Sequence, residues 1–93
     1  MLFEWDSDKD EINQNKHGIS FETATQVFFD PNIITTTDLN SDGEERWQTV
    51  GSVGNYTVLL VIHTYRDKDG AEIIRLISAR KLSKGEVKKY GYH

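Results

Sequence analysis

The chain has no cysteine, a single proline and a single methionine. Without thiols there are no disulfide staples, thiolate nucleophiles or cysteine-ligated zinc or iron–sulfur centres, so packing must stabilise the fold. Long hydrophobic runs are missing as well. The longest, YTVLLVI at 56–62, is far too short to cross a bilayer, and the N-terminal MLFEWDSDKDEINQNK turns acidic too early for a signal peptide. A soluble, cytoplasmic chain with no membrane association is expected. The segment GSVGN lacks the lysine and following helix of a phosphate-binding loop. The histidines, at 17, 63 and 93, include no close pair, and the carboxylates concentrate in turn-like segments. Neither a metal site nor a cofactor is expected. Repeats and low-complexity linkers are also absent, so residues 1–93 should form one domain, whose core is small because a chain this short buries only about 60% of its unfolded surface.

What is present is a divided charge. Residues 1–65 hold three Lys/Arg against eleven Asp/Glu, a balance of −8, whereas residues 66–93 hold eight against four, a balance of +4. The stretch RLISARKLSKGEVKKY at 75–90 is the most basic part of a chain whose net charge is −4. Its local field suits an anionic partner such as a phosphate backbone, while the acidic half suits a basic protein.

Local signals divide the chain into helices followed by strands. Asp6 or Ser7 can cap a first helix over about 7–16, with acids in its first turn, lysine near its end and Gly18 as the C′ residue. Its apolar content is thin, chiefly Ile12 with Trp5 upstream, so a buried stripe must include polar groups. Lys9, Asn13 and Lys16 share one face. Ser20 can cap a second helix whose stripe is Phe21, Ala24, Val27 and Phe28, stopped near Asp30 by Pro31; Phe21, Phe28 and Phe29 are its expected core anchors. From 33 onward β-branched, alternating segments predict four strands: IITTTD, RWQTVGSV, YTVLLVIHTY and AEIIRLISAR. Short turns at LNSDGEE, at 54–55 and at RDKDG favour antiparallel neighbours. Residues 56–65 read as the central strand. Ser83 and Glu86 form a capping-box pattern for a terminal helix over about 84–90.

The opening FEWDSDKDEINQNKHGISFETA, taken with HTYRDKDGAEIIRLISARKLSKGEVKKY, resembles the BrnT family, small toxins of bacterial type II toxin–antitoxin modules. The family pattern falls on Trp5–Asp6, Lys9, Asn13, Lys16–His17–Gly18 and Phe21, on Asp30–Pro31, on Arg46, and on the strand from Arg75 to Arg80. Many relatives are basic overall and carry Glu-Arg where this chain has Glu86–Val87. The resemblance implies an α+β, RelE-like fold: two N-terminal helices, a four-stranded antiparallel sheet and a short C-terminal helix. It further implies an endoribonuclease that slows translation by cutting RNA. A BrnA-like antitoxin would neutralise it, as a heterotetramer that meets DNA only through the antitoxin. The alternative is a non-catalytic binding module whose sheet edge or acidic half captures such a partner.

RNA cleavage without a metal requires a base near the 2′-hydroxyl, a cation for the charge developing on phosphorus, and an acid for the leaving oxygen. Arg80, just before the basic helix, is the first candidate cation, because a guanidinium fork matches phosphate oxygens. The alternative is a strand-end ion pair with Glu86 or Glu72. Arg75 can assist only if a bulge intervenes or Arg80 lies past the strand end, since strict alternation sends positions 75 and 80 to opposite faces. Arg46 reads as an ion-pair residue or an RNA contact. His63 shares a face with Leu59 and Val61, and serves either proton transfer or the core. Lys16 and His17 gain candidacy from the resemblance, His17 also sitting at a helix C-terminus. Glu86 is a general base or simply a cap, and Tyr90 either positions a base or locks the terminal helix. Lys81, Lys84, Lys88 and Lys89 read as a diffuse phosphate-steering field, and His93 is terminal.

Overall fold

The computed structural model describes residues 1–38, 43–54 and 57–91. The expected turns at 39–45 and 54–55 lie partly outside those residues, as does the start of the third expected strand at Tyr56, and His93 lies wholly outside. The chain runs β1 (Leu2–Glu4), α1 (Ser7–His17), α2 (Phe21–Ala24), a 3₁₀ turn (Thr25–Phe29), β2 (Ile34–Thr37), β3 (Trp47–Val53), β4 (Thr57–Lys68), β5 (Ala71–Lys81) and α3 (Lys84–Lys89). The sheet order is β1-β5-β4-β3-β2, antiparallel except for β1, which lies parallel to β5.

The fold is α+β, but the sheet is mixed and five-stranded, not the expected four-stranded antiparallel one. The extra strand, Leu2–Glu4, is too short to show a period of two, and its pairing with Ile73–Arg75 is set by a partner about seventy positions away. The second helix also differs. One α-turn tightens into 3₁₀ geometry, where residues three apart eclipse, so Ala24 and Val27 point inward while Phe29 swings to the rim. Phe29 is 67% exposed and is not the expected core anchor.

The caps follow local chemistry. The Asp6 carboxylate accepts from the Asp8 and Lys9 amides, and Gly18 closes α1 at φ 70°, where only glycine is unstrained. Asp10 reaches the orphan amide of Phe21 at 2.8 Å, joining the two helices. Asp30, before the proline, accepts from the Ser52 amide and hydroxyl and from the Asn32 amide, tying the end of the 3₁₀ turn to β3. Burial works to raise its pKa, but these hydrogen bonds outweigh burial and hold the carboxyl below its ordinary value.

The helices cover one face of the sheet. Phe21, Ala24, Val27 and Phe28 pack on Leu59 and Val61 of β4 and on Ile74, Leu76 and Ala79 of β5, with Phe3, Trp5 and Val53 at the margin. Gly51 admits the 3₁₀ turn: a Cβ there would lie 3.0 Å from both the Cβ and the carbonyl oxygen of Val27. On the opposite face Val50, Leu60 and Thr64 are buried. No described helix is long and apolar enough to cross a membrane.

Candidate functional site

The strand that positions the site is β5, and its register is broken. Ser78 pairs with Ile62 and Leu76 with His63, so Ile77 is an extra residue, a bulge. As a result Arg75 pairs with Thr64 and Arg80 with Leu60, positions that share one face of β4. The bulge brings Arg75 and Arg80 onto the same face, the one turned away from α1 and α2.

Beyond the three residues paired with β1, the outer edge of β5 is met by α1. Asn13 is buried, and its Nδ2 donates to the carbonyls of Ile19 (2.9 Å) and Ala79 (2.8 Å), while the Ala79 amide donates to its Oδ1 (3.1 Å). The side-chain amide takes the place of a neighbouring strand. The face shared by Lys9, Asn13 and Lys16 is therefore turned to the sheet edge. With Ile12, His17, Ile77 and Ser78 these residues line a recess of about 160 Å³. It is smaller than the roughly 300–1,000 Å³ of a drug-sized ligand pocket and suits a phosphate or a single sugar. Ile12, expected as the main apolar contact of α1, is 62% exposed at this recess. The inward position is taken by Asn13, whose amide donates twice to and accepts once from backbone groups there.

Every arginine described on the sheet face opposite the helices has a carboxylate partner. Arg80 Nη1 and Nη2 each donate at 2.8 Å to the two oxygens of Glu86, and Nη1 also approaches the Lys81 carbonyl at 3.3 Å. Glu86 is doubly engaged, because its Oε1 also accepts from the Ser83 amide while the Ser83 hydroxyl caps the Glu86 amide. These bonds, the Arg80 fork first, pull the Glu86 carboxyl down to about 2, and the same pairing raises Arg80 against the opposing pull of its burial. Tyr90, the C-cap of α3, lies within electrostatic reach of Arg80. At the other end Glu4 holds two arginines, with Oε1 at 2.8 Å from Arg66 Nε and Oε2 at 3.4 Å from Arg75 Nη1. The first contact lacks the alignment of a hydrogen bond, so it is an ion pair by distance alone. Arg46 is a loose partner of Glu44 at 4.0 Å, in keeping with an ion-pair role.

His63 lies elsewhere. It is fully buried on the helix face, its Nε2 2.7 Å from Thr49 Oγ1, its ring edge-on to Phe28 and Tyr65, and its Nδ1 without a hydrogen-bond partner. Burial pushes its pKa down to about 4. A neutral imidazole with no exposed surface packs as a core residue, one of the two roles expected for it, and proton transfer is not the role its burial favours.

Residues 5–86 match the family model described as the ribonuclease toxin BrnT of type II toxin–antitoxin systems. The chain belongs to the BrnT family. Its fold is similar to that of the Brucella abortus ribonuclease toxin BrnT, known from a crystal structure at 1.1 Å resolution. That likeness has a TM-score of 0.63 at 22% identity and covers 90% of this chain and 100% of that one. Comparison with curated proteins gives no match.

Within this BrnT fold, the residues anticipated from sequence separate into three places. Lys16 and His17 border the α1–β5 recess, together with Lys9 and Asn13. Arg75, Arg80 and Glu86 belong to the opposite sheet face, with Tyr90 beside Arg80, and His63 is in the core. Ser78 connects the first two places, because it lines the recess and stands two positions from Arg80 on β5. Lys81, Lys84, Lys88 and Lys89 are all exposed, as a steering field requires. Sequence reasoning missed Arg66 and Glu4. A period of two from Thr64 would have found Arg66, but nothing local marks Glu4. Among the described residues no group of three or more His, Asp or Glu is placed to hold a metal.

Proposed function

We propose that the chain is an endoribonuclease toxin that cleaves RNA without a metal, inhibits translation and is neutralised by a cognate BrnA-like antitoxin. The observation that carries this reading is the bulge at Ile77, which sets Arg75 and Arg80 on one face next to a recess bordered by Lys9, Lys16 and His17. In the reaction the 2′-hydroxyl oxygen attacks the adjacent phosphorus and its proton passes to a base. The bond to the 5′ oxygen breaks, and that oxygen takes a proton from an acid, leaving a cyclic phosphate and a 5′-hydroxyl. Arg80, still 39% exposed beside Glu86, offers its free edge to the phosphorane charge, with Arg75 and Lys16 in support.

His17, at the rim of the recess, is the side chain placed for proton transfer. Glu86 is a weak base because its pKa is about 2, so its role is to orient Arg80. Tyr90 positions a base beside Arg80. The antitoxin completes a heterotetramer and supplies DNA contact, and one domain over 1–93 in the cytoplasm is the matching organisation. Purified protein with a single-stranded RNA and a chelator should yield cyclic-phosphate ends, and Arg80→Ala should lower the rate by about 10²-fold or more. Intact RNA, together with undiminished toxicity of Arg80→Ala in cells, rules the reading out.

A second reading, a non-catalytic module that acts on DNA only through its partner, is favoured by one observation. Arg66, Arg75 and Arg80 are all engaged by Glu4 or Glu86, which lessens the field available to RNA. A chain that is harmless alone yet binds its neighbour tightly is the outcome that selects it.

A further inference from the structure

The helices leave one end of their own sheet face uncovered, and that end is aromatic. Phe3, Ile74 and Tyr65 stand side by side across β1, β5 and β4, and Tyr65 meets Trp47 of β3 edge-on at 5.8 Å. Phe29 closes the ledge from the 3₁₀ turn, 6.4 Å from Phe3. Phe29 is 67% and Tyr65 41% exposed, although Phe29 rests against the partly buried Phe3 and Tyr65 against the buried His63. Exposed aromatic rings grouped on a rigid support are the composition of binding hot spots, not of a solvated surface.

The rim of the ledge defines what it accepts. By register Asp67 and Glu72 pair with each other one step beyond Tyr65 and Ile74, on this same face, and both are exposed. Glu72 is close enough for its charge to act on the Tyr65 hydroxyl. Among the described residues no lysine or arginine falls on this end of the face: Arg66 and Lys68 alternate to the opposite one. An RNA strand would bring phosphates against two carboxylates with no lysine or arginine to receive them. A chain of lysines or arginines spaced by apolar side chains would meet the carboxylates with its charges and the rings with its apolar groups, and its cations can also sit over Tyr65 and Trp47.

We infer that the Phe29–Tyr65–Trp47 ledge is a docking surface for a basic, apolar-studded segment of a partner protein, on the opposite side of the sheet from the arginine face and leaving that face open. The identification of that partner as the antitoxin rests on the toxin–antitoxin reading; the chemistry of the ledge does not.

The test uses the full chain and two probes. The first is a synthetic peptide alternating lysine and leucine, with a glutamate–leucine peptide as control, followed by the NMR shift of the Trp47 indole N–H. The lysine peptide alone should move that signal. Tyr65→Ala with Phe29→Ser should weaken binding by at least about tenfold, and Asp67→Lys with Glu72→Lys should remove both affinity and its salt dependence. Each variant's melting temperature is compared with wild type, and the charge-reversal pair, at exposed positions, serves if the aromatic pair unfolds. The ledge proposal is overturned if the peptide leaves Trp47 unmoved, if the folded variants bind as wild type, or if they lose labelled RNA instead. A change in self-association in sedimentation, with no change in peptide binding, assigns the ledge to a second copy and also overturns it. The second probe is the product of the reading frame adjacent to the gene. If it fails to bind wild type while the peptide result stands, the toxin–antitoxin reading falls and the ledge survives.

Discussion

On the helix-covered face β4 presents Leu59, Val61 and His63; on the other face the same strand presents Leu60, Thr64 and Arg66. The first face keeps an ionisable ring neutral by sealing it, and the second sets a carboxylate against each of three guanidiniums. The difference follows from desolvation. A charge stripped of water costs more than a single uncharged partner such as Thr49 can return, whereas half-exposed arginines keep water on one side and need only a modest counter-charge. On the proposed reading function follows the same division, since the second face, with its adjoining recess, is where a carboxylate partner would be exchanged for a phosphate.

The largest test of this contrast is at the edge of β5. Asn13→Ala removes three buried hydrogen bonds and strands the Ala79 amide and carbonyl, and should lower stability by about 4 kcal/mol in urea unfolding. A loss below about 1 kcal/mol means water replaces the amide and the recess floor is not rigid.

Next comes pH. The ring of His63 has a pKa of about 4 when folded against an ordinary 6.5, so between these values the unfolded chain binds a proton that the folded chain does not. Its contribution is complete above pH 6.5 and disappears as pH falls toward 4, by up to about 3 kcal/mol. Denaturation profiles of wild type and His63→Leu should diverge in slope across that window; parallel slopes would show that the ring is hydrated.

A smaller effect is expected at α3. Ser83→Ala should cost about 1 kcal/mol and loosen Glu86 from its cap, and hydrogen exchange should detect fraying confined to α3. The Glu86 carboxyl, held at about 2, keeps its stabilising contribution above its ordinary 4.5 and gives it up as pH falls through 2, so α3 should outlast the His63 transition. The smallest change is Arg66→Ala, at under about 0.5 kcal/mol, because a half-exposed ion pair is screened by water. A larger loss would mean that Glu4 is a buried charge and that the open face is closed.

Much of this was legible in the residues. Asp6, Gly18, Ser20 and the Ser83–Glu86 box act over three or four positions, so their roles can be read without knowing the fold. The central place of β4 was legible from its unbroken apolar run, and the bond between Arg80 and Glu86 was one of the alternatives that composition left open. The role of Asn13 was visible only as a question, since its partner at Ala79 is 66 positions away. The bulge at Ile77 leaves only a slight mark: the adjacent apolar pair Leu76–Ile77 interrupts the alternation of RLISAR, but which residue slips appears only against β4.

From sequence alone came the helix ends, the strand periods and the gathering of cations beyond residue 66, because each depends on neighbours along the chain or on a simple sum of charge. Tertiary structure alone decided which face Arg75 and Arg80 share, that His63 is sealed, and that β1 joins the sheet. Each of these is a matter of register between distant segments, and a shift of one residue in a period of two exchanges the buried side chains for the exposed ones.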